Sequence, residues 1–440
     1  MLLTLFRATL ALICIYTARH YYFTLNRIFG RQRHPYADVE DANWPALTVL
    51  VAAHNEEAVI TDILKALLEV DYPQEKLRII PVNDRSTDGT CEIIDKFAAQ
   101  NPRIVPFHRS AGKSGKAAAL KDAMEQVNTE VVLIFDADYV PGKALIRQLV
   151  TPFFDPEVGA VMGRVVPLNV GKKLLTRLLD LERSGGYQVD QQARMNLHMV
   201  PQYGGTVAGI RRTALEEIGG WNENALAEDT DLTYRLLLAG WKTVYENRAE
   251  CYEEVPERWP VRVRQIMRWA KGHNQVMMRC LANTAKSPAL NWFERVDGVL
   301  LLGVYLMGPV LMLGWALAVV LFYTGVQIGG GLTVLALGAF TTLGNFAAFF
   351  EIAAAARLDG SRQRIRLLPI TLLGFTVSLV SVSRAAWQQL QDLLLGEGDF
   401  VWHKTERSRT KPVLVPAPAV LSRTASVLNE APLSVLEEAP

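Results

Sequence analysis

The chain has 440 residues, half of them hydrophobic, with a net charge of +1 and four cysteines. That length holds a catalytic domain together with membrane segments, and the balanced charge gives no footing for a nucleic-acid partner. Cys14, Cys91, Cys251 and Cys280 show no C-x-x-C spacing, so the sequence reads without a zinc site or disulfide framework and suits a reducing compartment. In chain order, the first apolar run is Ala8 to Ala18, flanked by Arg7 and Arg19. Tyr21, Tyr22 and Phe23 suit an interfacial aromatic belt, and Arg27, Arg31 and Arg33 a basic flank. No small-residue cleavage site follows. Residues 1–34 therefore read as an uncleaved membrane anchor, with a helix lying in the interface as the alternative.

From Leu47 the pattern alternates strand and helix. Leu47 to Ala53, Arg78 to Val82, Ile104 to Phe107 and Val131 to Phe135 read as strands. Glu57 to Glu69, Asp88 to Ala99 and Ser114 to Val127 read as helices. This spacing predicts an α/β domain with a parallel sheet and helices on both faces. Ligands of such sheets bind beyond the carboxyl ends of the strands. Glu57, Asp84 and the pair Asp136 and Asp138 all fall at those ends.

Beyond the catalytic region, Val296 to Tyr323 and Leu332 to Ala356 each exceed the roughly 20 residues that span a bilayer. Leu367 to Ser383 is shorter and contains Pro369 and Gly374, and basic residues flank both its sides, so it reads as re-entrant or interfacial. The loop Arg357 to Arg366 carries four arginines and reads as cytoplasmic, which places the catalytic domain in the cytoplasm too. The expected organisation is an anchor at 1–34, a catalytic domain at 35–290, transmembrane helices at 291–395, a loop at 396–411 and a disordered tail at 412–440 rich in Pro, Ala, Ser and Glu.

Several side chains in this frame suit sugar transfer from a nucleoside diphosphate to a hydroxyl. Asp136 and Asp138, one residue apart after the strand Val132-Leu133-Ile134-Phe135, can share a divalent cation, Mg2+ or Mn2+, that neutralises charge on the leaving diphosphate. A solvated turn is the alternative. Gly112-Lys113-Ser114 imitates a phosphate-binding loop, but Phe107 stands where that motif requires glycine. Lys116, near a helix N-terminus, still favours an anion. Glu228, Asp229 and Asp231 open a helix, where acidic residues also serve as ordinary caps. An acceptor hydroxyl is a poor nucleophile until a base takes its proton, and Asp229, with Glu228 beside it, is the candidate. A single displacement with one base inverts the anomeric centre. Gln265, Arg268 and Trp269 share one helical face, so amide and guanidinium can hold the diphosphate while the indole supports a sugar ring. An amphipathic interfacial helix is the other reading of that segment.

Taken together, Asp84, Asp136-Ala137-Asp138, Glu228-Asp229 and Gln265-x-x-Arg268-Trp269 resemble the membrane-embedded family 2 glycosyltransferases, over roughly Leu47 to Met278. Stretches such as Gly115-Lys116-Ala117-Ala118-Ala119-Leu120-Lys121 and Arg264-Gln265-Ile266-Met267-Arg268-Trp269 look most like the poly-N-acetylglucosamine synthase branch. The resemblance implies a GT-A (Rossmann-like) catalytic domain using a UDP-sugar. Glu57 and Asp84 would contact the uridine side, Gly205 and Thr206 would lie near the acceptor, and Trp269 would stack under the acceptor sugar. It also likens Trp402-His403-Lys404-Thr405-Glu406-Arg407 to a cytoplasmic gating element. Ala227 departs from the usual threonine, and Tyr203-Gly204-Gly205 replaces the Phe-Cys-Gly of cellulose and hyaluronan synthases, which weakens a cellulose or hyaluronan assignment. The expectation is processive extension and export of a β-linked polysaccharide at the inner membrane. The alternative is a single-addition transferase making a glycolipid. The membrane portion is small, so a polymer channel would require a homo-oligomer or an accessory subunit.

Overall fold

The computed structural model describes residues 1–34, 36, 43–326, 329–340, 342–360 and 362–395. The loop at 396–411 and the tail from 412 lie outside them. Helix α1 (Leu2–Phe29) precedes the alternating region β1 (Leu47–Ala53), α2 (Ile60–Leu68), β2 (Leu77–Asp84), α3 (Thr90–Gln100), β3 (Phe107–Arg109), α4 (Lys116–Ala123) and β4 (Val131–Asp136). There follow β5 (Val140–Pro141), α5 (Leu145–Val150), β6 (Val158–Pro167), α6 (Leu174–Ser184), a π-helical stretch (Gly185–Gln191), α7 (Gln192–Asn196), β7 (Ala208–Arg211), α8 (Arg212–Glu217), α9 (Glu228–Leu238) and β8 (Lys242–Glu253). The long helix α10 (Trp259–Lys286) then leads to α11 (Trp292–Leu302), α12 (Met307–Tyr323), α13 (Gly330–Phe340), α14 (Thr342–Leu358) and α15 (Leu368–Leu395).

The sheet has eight strands in the order β3-β2-β1-β4-β7-β6-β8-β5. Its first four strands are parallel, as strand–helix alternation predicts. Beyond β4, past the four strands read from the sequence, the sheet is mixed. There β7 runs antiparallel to both β4 and β6, and β5 antiparallel to β8. A parallel neighbour needs a crossover that returns the chain to the same end of the sheet. After β4 the chain instead detours through α5, β6, α6 and α7, and β7 enters from the opposite end. The third strand also falls later than its apolar run. Pro106, which lacks an N–H to donate, separates Ile104, a lone bridge to Ile79, from β3.

Alternate residues of β1 feed two cores. Leu47, Val49 and Val51 pack with Ile60, Ile63, Leu64 and Leu67 of α2, while Leu50 packs with Val132 and Ile134 and the alanines of α4. Burial on both faces explains the unbroken apolar runs. These cores fix the strand ends that carry Asp84 and Asp136.

Among the described residues, three helical segments are long and apolar enough to cross a membrane: Leu2–Phe29, Val304–Tyr323 and Gln363–Leu395. The apolar run expected to span from Val296 is broken at Gly303, and its first part belongs to α11. The N-terminal half of α1 packs through Phe6, Leu10 and Ile13 on Leu317 and Leu321 of α12 and Ala339 of α13. Its C-terminal half packs through Phe23 on Ala354 and Ala355 of α14. The last apolar segment, expected to end at Ser383, runs on as one helix to Leu395. Its C-terminal part lies along α10: Val382 and Ala385 pack with Ile266 and Ala270, and Asn274 Nδ2 donates to Gln389 Oε1 at 2.9 Å.

Candidate functional site

The carboxyl ends of β2 and β4, the N-terminus of α9 and one face of α10 open onto a single cavity of about 1540 Å³. Of the residues singled out from sequence, Asp84, Lys116, Asp136, Asp138, Thr206, Glu228, Asp229, Gln265, Arg268 and Trp269 all line it. Gly205 adjoins the same wall, since a Cβ there would stand 3.1 Å from Asp229 Cβ. Glu57 is not brought there. It is exposed, and its Oε2 accepts from Gly89 N at 2.8 Å, ahead of α3. The neighbouring Glu56, 5% exposed, lines the cavity instead.

At the β2 end, Asp84 is held between two arginines: Arg109 Nη1 donates to its Oδ1 at 2.7 Å and Arg85 Nε at 2.8 Å. Neither arginine stands out in the sequence, because nothing in their spacing ties them to Asp84. At the β4 end, Lys116 Nζ lies 2.5 Å from Asp136 Oδ1, donates to the Gly205 carbonyl at 2.8 Å, and is 3.9 Å from Glu228. Asp136 N donates to Thr206 Oγ1 at 3.1 Å. Lys116 thus ties the β4 tip, the Gly205–Thr206 segment and α9 together. Its ammonium is held above the ordinary lysine range: burial opposes the charge, but Asp136 and Glu228 outweigh it.

The three acids of α9 divide. Asp231 is structural, paired with Arg235 Nε at 2.7 Å and accepting from Asn222 at 3.2 Å. Asp229 Oδ1 accepts from Thr230 N at 2.7 Å. Burial raises the Asp229 carboxyl above the usual range despite that bond and the charges of Lys116 and Arg268. Glu228 is pushed up to about 7, by burial first and by the adjacent Asp229 charge, with Lys116 acting against the rise. Two carboxyls raised toward neutrality beside each other are suited to proton transfer.

Helix α10 reaches this pair because of Gly272. A Cβ there would meet the Ala227 Cβ and backbone N at 2.8 Å, so only glycine lets α10 press on the start of α9. Arg262 Nη1 donates to Gln265 Oε1 at 2.8 Å, leaving the amide oriented. The guanidiniums of Arg183 and Arg262 lie over the indole of Trp269, 5.3 and 5.2 Å from its ring centre. Arg183 in turn pairs with the buried Glu253 at 2.7 Å, which also accepts from Tyr139 Oη at 2.7 Å. Glu253 and Arg183 escape sequence reading, since each looks like an ordinary charge in a strand or helix.

The cavity does not stop at the catalytic residues. Ile13, Leu311, Trp315, Leu372, Phe375 and Leu379, all from the apolar helices, belong to the same wall.

Comparison with known proteins agrees with this geometry. Residues 45–272 match the model of the family described as glycosyltransferase like family 2. The probable glycosyltransferase YdaM of Bacillus subtilis (strain 168) is 34% identical over 296 residues, 64% of this chain and 69% of that protein. A beta-monoglucosyldiacylglycerol synthase of Synechocystis sp. is 34% identical over 261 residues, 59% of this chain. One of Nostoc sp. is 32% identical over 258 residues, 57% of this chain. The matched region spans about half the length of these two synthases, 54% and 53%. The structure of the mannosyltransferase PcManGT from Pyrobaculum calidifontis in complex with GDP-Man and Mn2+ superposes with a TM-score of 0.60 at 21% identity, over 89% of this chain and 99% of that one. The chain belongs to the family 2 glycosyltransferases, with a GT-A catalytic fold and apolar helices that fit membrane association.

Proposed function

We propose that this enzyme transfers a single sugar from a UDP-sugar to a hydroxyl of a membrane lipid, with inversion, at the cytoplasmic face of the membrane. The observation that carries this reading is the continuity of the cavity from Asp229 to the apolar side chains of α1, α12 and α15. A hydrated polysaccharide finds few partners on such a wall, whereas acyl chains do. The names of the Synechocystis and Nostoc relatives point the same way and favour the glycolipid alternative over the processive polymerase. The basic loop supports the orientation: Arg364 pairs with Asp180 of α6 at 2.6 Å and Asp359 with Arg164 of β6 at 2.6 Å, so these two loop residues lie against the catalytic domain.

In this reading Asp229 takes the proton of the acceptor hydroxyl as it attacks the anomeric carbon. Arg268 and Gln265 hold the diphosphate, Asp84 and Glu56 face the nucleoside side, and Trp269 supports the acceptor. Asp136 and Asp138 would hold a magnesium or manganese ion. Both present hard oxygen donors at the cavity wall, where carboxylates outnumber lysines and arginines two to one, so an anionic diphosphate needs added positive charge. Such an ion supplies charge neutralisation for the leaving diphosphate.

The test is product length. Full-length enzyme in lipid nanodiscs containing diacylglycerol is given labelled UDP-glucose or UDP-N-acetylglucosamine. A single labelled product extracted into organic solvent is expected, lost on chelation and restored by Mg2+ or Mn2+. A ladder of water-soluble products would overturn the lipid reading.

A further inference from the structure

The apolar helices carry charges that the transfer chemistry above does not use. Glu351 of α14 is 8% exposed, and its Oε2 lies 2.5 Å from His20 Nδ1 of α1. Behind this pair, Arg19 of α1 contacts Asp190 and Asp297, each at 3.2 Å. Arg194 contacts the same two carboxylates at 2.9 and 3.2 Å. Arg19, His20, Asp190, Arg194 and Glu351 all line the cavity. Ionisable groups on membrane helices are costly to place and mark sites that use them. As a staple alone the cluster is a poor device, because a buried ion pair recovers little more than its own desolvation.

Its position is between the two ends of the cavity. A Cβ on Gly185, two residues beyond the Arg183 that flanks Trp269, would stand 3.4 Å from Glu351 Oε1. Phe349 and Ile352, within two residues of Glu351 in α14, line the apolar part of the wall. An acceptor lipid whose hydroxyl reaches Asp229 and whose chains lie against the apolar helices therefore passes its headgroup across this cluster.

We infer that His20 and Glu351, backed by the Arg19, Asp190, Arg194 and Asp297 network, form a headgroup subsite that selects an uncharged, hydroxyl-bearing lipid over one that carries a phosphate. The inference rests on the lipid-acceptor reading. Its ground is the charge arrangement. Both arginines are shared between two carboxylates, so neither offers the unshared positive charge a phosphate needs. Glu351 presents carboxylate oxygen, which repels phosphate, while the acceptor's hydroxyl goes on to Asp229. Burial sharpens both effects.

Two lipids with free hydroxyls, diacylglycerol and phosphatidylglycerol, separate the cases when offered to the full-length enzyme in phosphatidylcholine nanodiscs. The wild type is expected to use diacylglycerol at least about tenfold better by kcat/KM, and Glu351→Gln to lower the KM for phosphatidylglycerol roughly tenfold and narrow the gap, with UDP affinity at its wild-type value. Glu351→Asp, which keeps the charge, should keep most of the gap, which a merely structural role would not predict. Equal use of both lipids by the wild type would overturn the subsite, whatever the variants do. So would an unchanged KM and unchanged selectivity in a Glu351→Gln enzyme that still binds UDP. A water-soluble ladder from the wild type defeats the lipid reading itself, whereas a lipid product with unselective variants and wild type defeats the subsite alone.

Discussion

At the catalytic end of the cavity, polar groups come from strand tips and a helix start, each delivered by a short local motif. At the membrane end, the close pair of His20 with Glu351 joins residues 331 positions apart. The first end is built by local rules that repeat wherever a β-strand stops before a helix. The second exists only once α1 and α14 have packed. In the proposed reading, the first end handles the donor, the proton and the reacting hydroxyl, and the second selects the acceptor's headgroup. If that division is real, variants at the two ends must fail in different ways.

The largest expected effect is at Asp229. Asp229→Asn keeps the shape and removes the base, so transfer should fall about 10²–10⁴-fold while UDP affinity holds. Single-turnover rates and UDP titration on the same preparation decide it; near-normal turnover would remove Asp229 from the mechanism and blur the two ends. Next comes Arg268→Ala. Loss of a charge-assisted phosphate contact should weaken UDP binding roughly tenfold to a hundredfold. Trp269→Ala should leave UDP affinity alone and raise the acceptor KM, because the indole gives the acceptor its flat face. Equal loss of UDP affinity in both variants would mean that this face of α10 is not divided between donor and acceptor.

The same contrast explains what was legible in the sequence. Strands β1, β2 and β4 follow from unbroken apolar runs because both their faces are buried. The tips that carry Asp84 and Asp136 follow from where those runs end. Antiparallel β7 was not legible, since four residues closing a gap between β4 and β6 carry no periodic signal of direction. Glu57 illustrates a limit of one position: both glutamates at the β1 tip look alike in sequence, but only the turn into α2 decides that Glu56 faces inward and Glu57 outward. Arg109 and Arg183 were invisible because their value lies in partners across the fold. The one sequence signal for the α9–α10 contact was Gly272, an unforced glycine in a long helix, readable as a site of close approach.

The smallest expected effect is a shift in pH dependence, and it tests whether Glu228 and Asp229 act as a pair. Burial raises both carboxyls, and Glu228 stands at about 7. A base works only when ionised, so the acid limb of kcat/KM should lie above the usual carboxylate range. Charge coupling between neighbours is mutual: a negative Glu228 makes Asp229 harder to ionise, just as Asp229 does for Glu228. Glu228→Gln removes that repulsion. Whatever rate remains in this variant should therefore keep an acid limb displaced to lower pH, while the diacylglycerol KM stays where the membrane end sets it. An acid limb that does not move would assign the titration to some other group. A moved limb accompanied by a changed acceptor KM would show the two ends of the cavity to be coupled rather than divided.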